Sequence, residues 1–240
     1  MKIKVTIIKF GYIDHLIEVS KLKKWKSDLF EIVDIESVGY LPNCDIEDGY
    51  LDQKYAPEQL NKFISCPNSS DFAIAIMQYR FCDNFYMHRI NGNSVGISLH
   101  GISEILERDN ISIENFIIKQ IYEVYALKSL FGNTPSEDVY KAIHQDTRGC
   151  LFDQNGYRSD IQYNTEKPII CDSCKGLFKS KQVNSETLQI LEKELKRIDK
   201  ALLLKFERFV RKQPLISLIL SASLALSLSI LANLIFRAYF

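Results

Sequence analysis

The opening residues, MKIKVTIIKF, alternate polar and apolar side chains, and that period of two predicts a β-strand over Ile3–Phe10. Three more strand-like runs follow: Phe30 to Tyr40, DFAIAIMQYRF from Asp71 to Phe81, and NFYMHRINGNSVGISL from Asn84 to Leu99. The last carries NGN, a turn signal, and reads as a hairpin or two short strands. Helical spacing appears from Ile13 to Trp25, Ala56 to Ile64, Gly101 to Arg108, and Ser112 to Phe131. Asn110 or Ser112 is placed to cap the last of these. Its apolar residues (Ile113, Phe116, Ile117, Ile121, Val124, Leu127, Leu130) fall on nearly every side, which predicts a central, buried helix. Asn43 to Pro57 is acidic and turn-rich and reads as a surface loop. The fold class expected is α/β or α+β, a mixed sheet with helices, over residues 1–140.

The C-terminal quarter has a different pattern. In NSETLQILEKELKRIDKALLLKFERFV, with a polar cap at Asn184 or Ser185, apolar residues recur at Leu188, Leu191, Leu195, Ile198, Leu202 and Phe209, with Lys205 breaking one turn. That three-four alternation predicts a helical stalk over 183–212, either a short parallel coiled coil or a helix packed on the domain before it. Pro214 to Phe236 then runs without a charge. At about 1.5 Å per residue it matches the ~30 Å hydrocarbon core, so 213–240 is expected to be a transmembrane tail anchor. Lys205, Arg208, Arg211 and Lys212 precede it, which by the positive-inside rule puts the N-terminal part in the cytoplasm of a single-pass protein of the cell membrane. Ser217, Ser221, Ala225, Ser229 and Asn233 recur every four residues and share one helix face. Such a small, polar stripe suits close helix–helix contact and predicts a homo-oligomer.

Composition narrows the function classes. The 240 residues are 46% hydrophobic and 25% charged, with a formal net charge of zero, so no global field draws the chain to nucleic acid. The first ten residues are too short and too charged for a secretory signal. Six cysteines in a reducing compartment then read as thiols or metal ligands in preference to disulfides. No phosphate-binding glycine loop is present. His15, His88 and His100 are scattered, and no spacing supports a triad of Cys82 with His88 or His100. RFCDNFYMHR, with Arg80, Asp83, Phe85 and Arg89, reads as a half-buried strand pair in preference to a ligand cleft.

The chemistry concentrates in residues 141–182. Cys171-Asp-Ser-Cys174-Lys-Gly176 has the spacing of a zinc knuckle, in which two thiolates three apart grip one ion. His144 and Cys150 are the natural second pair, giving three thiolates and one imidazole. Cys66 or Cys82 is the alternative to His144. With four protein ligands the zinc is structural, a staple for a loop-rich segment. Asp146, Arg148, Asp153 and Asp160 are expected to make local turns and ion pairs, with Arg148 also in reach of an anion or a partner.

HQDTRGCL resembles the C-terminal half of the archaemetzincin pattern, in which a third histidine is followed by paired cysteines, a methionine and a distal Cys-x-x-Cys. His144 stands at the third histidine and Cys150 at the second cysteine, while Gln145 replaces the first cysteine and Leu151 the methionine. The gap to Cys171 is two residues longer than in that family. SVGISL followed by a buried helix is similar to the zincin order of elements. The HExxH helix is missing. The family spacing would place it at Thr134 to Asp138, and the nearest helical echo, YEVYA from Tyr122 to Ala126, retains only Glu123. Without both histidines a catalytic zinc has no ligands and activates no water.

The sequence therefore predicts a non-enzymatic sensing or interaction module, or a membrane effector similar in organisation to small effectors of bacterial (antiviral) defence, acting through self-association. A cytosolic protein or a small signal is the expected partner, and nucleic acid is not. The resemblance implies an alternative, a membrane-bound zinc hydrolase of atypical zincin type with Glu123 as its catalytic carboxylate. A third reading is an inert assembly adaptor.

Overall fold

The computed structural model describes residues 2–44, 46–48, 52–132, 139, 142–198, 209–210 and 212–239, with side chains at all of these except 46–48, 52, 231 and 234–239. The chain divides into two compact units, Met1–Asp199 and Lys200–Phe240.

The first unit is a mixed α/β structure. Strands β1 (Ile3–Phe10), β2 (Phe30–Val38), β5 (Phe72–Met77), β7 (Met87–Asn91) and β8 (Ser94–Ser98) form a five-stranded sheet in the order β2-β1-β5-β8-β7. All neighbours are parallel except the β7–β8 hairpin, which places an antiparallel strand at one edge. The central strands β5 and β8 are buried along their whole length, because both faces of the sheet are covered. Successive side chains divide between two cores. Val5, Ile7, Ile74, Ile76, Val95 and Ile97 face the larger one, while Ile8, Phe10, Ala73, Ala75 and Met77 face the smaller one.

Small residues on that second face admit a large one. A Cβ on Gly96 would stand 3.1 Å from the Phe81 ring and 3.2 Å from Ile90, so glycine is what lets Phe81 lie on the sheet. Phe81 belongs to a second sheet, β3 (Ile46–Asp48), β4 (Asp52–Tyr55) and β6 (Arg80–Phe81), in the order β3-β4-β6. The stretch from Asn43 to Pro57, expected as a loop, thus contributes two strands, because β4 finds a partner in β6 that no local pattern announces.

Helix α4 (Ile113–Phe131) is the central helix, buried on nearly all sides. The Ser112 hydroxyl caps it by accepting from the Asn115 N–H at 3.2 Å. Helix α1 (Val19–Lys24) is shorter than the expected Ile13–Trp25. The Glu18 N–H donates to the Glu114 carboxylate at 2.6 Å, which holds Glu18 extended and makes the helix start after it. Helices α2 (Pro57–Leu60), α3 (Ile102–Arg108), α5 (Ile161–Glu166), α6 (Asp172–Ser180) and α7 (Ser185–Leu195) complete the unit.

The described part of the predicted stalk is α7 and the residues up to Ile198. Leu191, Leu195 and Ile198 are fully buried in the larger core, so α7 is a packed helix and not the start of a coiled coil. Its carboxylate Glu194 is buried and accepts from Tyr122 Oη (2.7 Å), Ser27 Oγ (2.6 Å) and the Asp28 N–H (2.7 Å), which fixes α7 to α4 and to the turn before β2. Leu202, Lys205 and Arg208 lie outside the described residues.

In the second unit the backbone is helical over Pro214–Tyr239, named α8. Among the described residues no helix is long and apolar enough to cross a membrane. This corrects the expectation of a transmembrane tail anchor over 213–240, and with it the single-pass location in the cell membrane and the cytoplasmic orientation.

Candidate metal centre

Three backbone arrangements bring the His/Cys residues together. First, the His144 N–H donates to the Phe152 carbonyl at 3.0 Å and the Gln154 N–H to the His144 carbonyl at 2.8 Å, which folds the loop on itself and sets His144 beside Asp153. Second, the Leu151 N–H donates to the Ile169 carbonyl (2.8 Å) and the Ile169 N–H to the Gly149 carbonyl (3.0 Å), which lays the approach to Cys171 alongside Cys150. Gly149 has φ of 73°, a left-handed conformation that glycine adopts without a Cβ penalty. Third, Cys171 is the N-cap of α6 and Cys174 lies in its first turn, so both sulfurs emerge on one side of the helix end.

The result is a compact donor group. His144 Nε2 stands 3.0 Å from Cys174 Sγ and 3.2 Å from Cys171 Sγ. Cys150 Sγ is 3.8 Å from Cys174 Sγ, and the four ligand atoms all lie within 4.8 Å of one another. Tetrahedral coordination at a Zn–S distance of about 2.3 Å puts two sulfurs about 3.8 Å apart, and with Zn–N of about 2.0 Å puts sulfur and nitrogen about 3.5 Å apart. The sulfur pair already has that spacing, and the imidazole needs to retreat by a few tenths of an ångström. These four residues can hold a metal ion.

The electrostatics of the site favour thiolates. Contact with the Cys174 sulfur pulls the Cys150 pKa down to about 6, with help from the Phe152 and Cys171 amides. The Cys174 thiol is correspondingly pushed up by the neighbouring Cys150 sulfur and by burial. At Cys171 burial works against ionisation, but the Ser173 hydroxyl and the Cys174 amide outweigh it and the pKa is lowered. Amide N–H groups aimed at sulfur are what a knuckle supplies to a metal-bound thiolate.

A second layer holds these ligands. Asp153 is buried, and its Oδ2 accepts from the Arg148 N–H (2.8 Å) and the Cys150 N–H (2.9 Å). The Ser173 hydroxyl, 3.0 Å from Cys171 Sγ, is itself met by Arg148 Nη1 at 3.2 Å, while Arg148 Nε donates to Asp146 at 2.7 Å. Thr147 donates to Asp160 at 2.6 Å. The aspartate-rich loop is therefore a set of turns around the ligands. Asp153 thus makes the local turn expected of it, and in that turn it supports Cys150. Its signal is an aspartate three residues after the cysteine, the spacing at which a carboxylate reaches back to a turn's amides.

The other candidate residues lie elsewhere. Glu123 is buried on α4 and paired with Lys119 at 2.8 Å, and it is not part of the four-ligand group. Cys66 bonds to the Ser70 carbonyl and Cys82 is exposed, so neither replaces His144. His88 bonds to Asp83 at 3.0 Å and packs on the Phe81 ring. Ser217, Ser221, Ala225, Ser229 and Asn233 all lie on α8, in the second unit. The stretch Thr134 to Asp138 lies outside the described residues. No protein-family model, curated protein or solved structure matches this chain.

Proposed function

We propose that the chain is a zinc-stapled interaction module and not an enzyme. The observation that carries this reading is the donor set itself: three sulfurs and one imidazole, all from the protein, within 4.8 Å of one another. A soft, tetrahedral, sulfur-rich set suits zinc above other common divalent ions. Four protein ligands leave no open position for a water or a substrate, which is the mark of a structural site. Glu123 is not one of the four ligands and is paired with Lys119, which supports the same conclusion against a zincin-type hydrolase. X-ray absorption on the purified protein tests it. One zinc with three sulfurs and one nitrogen is expected, and a zinc-bound water overturns it.

The module's output is self-association through α8, and its input is a partner protein or a small signal. Leu218, Ile219, Leu220, Leu224, Leu226, Leu228 and Ile230 are all exposed on α8, which leaves an apolar surface in need of a cover. The small stripe lets a second copy approach closely. Chemical cross-linking of the full chain is expected to trap oligomers, and the triple variant Ser221→Leu, Ala225→Leu, Ser229→Leu to lose them. Unchanged cross-linking in that variant removes the stripe from the account.

A further inference from the structure

Behind the metal loop, against α4, lies a second group of buried polar side chains that the metal site does not use. Phe116, Lys119, Gln120 and Glu123 follow one another at helical spacing and share the face of α4 that meets Tyr86. Tyr86 is buried, and its hydroxyl accepts from Asn155 Nδ2 at 3.2 Å. The Gln120 amide approaches the same hydroxyl without closing a hydrogen bond. Lys119 Nζ donates to Glu123 at 2.8 Å, with both side chains 5% exposed or less. Asp153 and this ion pair lie close enough to perturb each other's charge.

Several polar atoms here have no hydrogen-bond partner in the protein: both ends of the Gln120 amide, Asp153 Oδ1 and Asn155 Oδ1. Turning the Gln120 amide over does not help, because its oxygen and its nitrogen are equally unmatched. Each such atom, if left dry, destabilises the fold. The atoms are also of both kinds. Gln120 Nε2 and the remaining protons of the Lys119 ammonium donate, while Gln120 Oε1, Asp153 Oδ1 and Asn155 Oδ1 accept. A cation would satisfy only the acceptors and an anion only the donors. A molecule that does both is needed.

We infer that this group of unmatched atoms is a binding site for internal water, held by Gln120, Asp153 Oδ1 and Asn155 Oδ1 next to the Lys119–Glu123 pair. Water donates two hydrogen bonds and accepts two, and buried waters characteristically take up about three otherwise unmatched groups. Asp153 is the shared wall. One of its oxygens holds the Cys150 turn of the metal loop and the other faces the water. The water therefore joins the metal loop to the central helix, where no direct side-chain hydrogen bond between Asp153 and α4 does so.

The test compares the full-length, metal-loaded wild type with Gln120→Met, which keeps the side chain's length and removes both polar ends. Oxygen-17 magnetic relaxation dispersion counts the long-lived internal waters, and melting temperature is read in parallel. The expected result is a smaller dispersion amplitude in the variant, by at least one water, together with a fall in Tm. An unchanged amplitude overturns the inference. If Tm then rises, the amide was dry and its removal relieves a penalty. If Tm falls at constant amplitude, Gln120 acts by packing alone. Wild-type crystals diffracting well enough to show ordered solvent give an independent reading, and the absence of water density between Gln120, Asp153 and Asn155 overturns the inference as well.

Discussion

Removing the Cys174 sulfur is the sharpest perturbation of the metal site. Cys174 is buried, faces both His144 Nε2 at 3.0 Å and Cys150 Sγ at 3.8 Å, and lies in the first turn of the helix that carries the knuckle. A ligand that binds only the folded state adds RT ln(1 + [L]/Kd), about 4 kcal/mol when free zinc stands a thousandfold above Kd. In a domain of this size each kcal/mol moves the melting temperature by about 2–4 °C. Chelation of the wild type should thus lower Tm by about 8–16 °C. Cys174→Ser should begin near the chelated value and respond little to chelator or to added zinc. Circular dichroism melts with and without chelator, with metal content measured on the same samples, decide the matter. If the wild type loses its metal and melts at an unchanged temperature, the site does not staple the fold and the reasoning fails.

Three further outcomes follow from the packing. Lys119→Met leaves the Glu123 carboxylate buried without its cation and should cost about 3–5 kcal/mol in denaturant unfolding, while the double variant Lys119→Met, Glu123→Leu should recover most of that loss. Burial already pushes the Glu123 carboxyl up, and Lys119 holds it back. Without Lys119 the folded protein prefers the protonated acid, so the single variant should be most stable at low pH and lose stability as pH rises through the raised Glu123 pKa. A flat pH profile contradicts the burial. Gly96→Val drives a side chain into Phe81 and Ile90 and should cost about 1–3 kcal/mol, whereas an unchanged denaturation midpoint would mean that the second sheet yields freely. Ser112→Ala removes the cap of α4 and should cost about 1 kcal/mol, with Ser112→Asp retaining most of it.

The parts of the fold legible in the sequence are those written in local pattern. Strand β1 is found over the predicted Ile3–Phe10, opening on the alternation and then buried at every position from Val5 to Phe10. Helix α4 carries apolar residues all round together with a serine cap, and it is central and buried. The knuckle is legible because its chemistry fixes its spacing, and His144 and Cys150 fall where a second ligand pair is needed. What escaped was set by partners distant in sequence. Strand β4, DQKY, has no apolar run and exists because Phe81 and its neighbour pair with it. The truncation of α1 is dictated by Glu114, 96 residues away. Lys119 and Glu123 spell a surface ion pair at i,i+4 in any sequence reading, and only the sheet and the metal loop closing over them make the pair a buried one. For α8 an uncharged run was read as a membrane span, yet the described residues do not supply a helix of sufficient length and apolarity.

The clasp on α7 has a spectroscopic consequence. The chain contains one tryptophan, Trp25, and its indole N–H donates to Tyr122 Oη at 3.0 Å, the same hydroxyl that donates to Glu194. The Arg197 guanidinium stacks over the indole at 4.7 Å. The only indole fluorophore thus sits where α7 is fastened. Emission on selective excitation at the red edge comes from that one point and is insensitive to events remote from it. Release of α7 would strip the ring of its cation and expose it to water, shifting its emission to the red. A stopped-flow trace of Trp25 in the unmodified protein would therefore time the undocking of α7, and would distinguish it from global unfolding by arriving earlier than the loss of helical ellipticity.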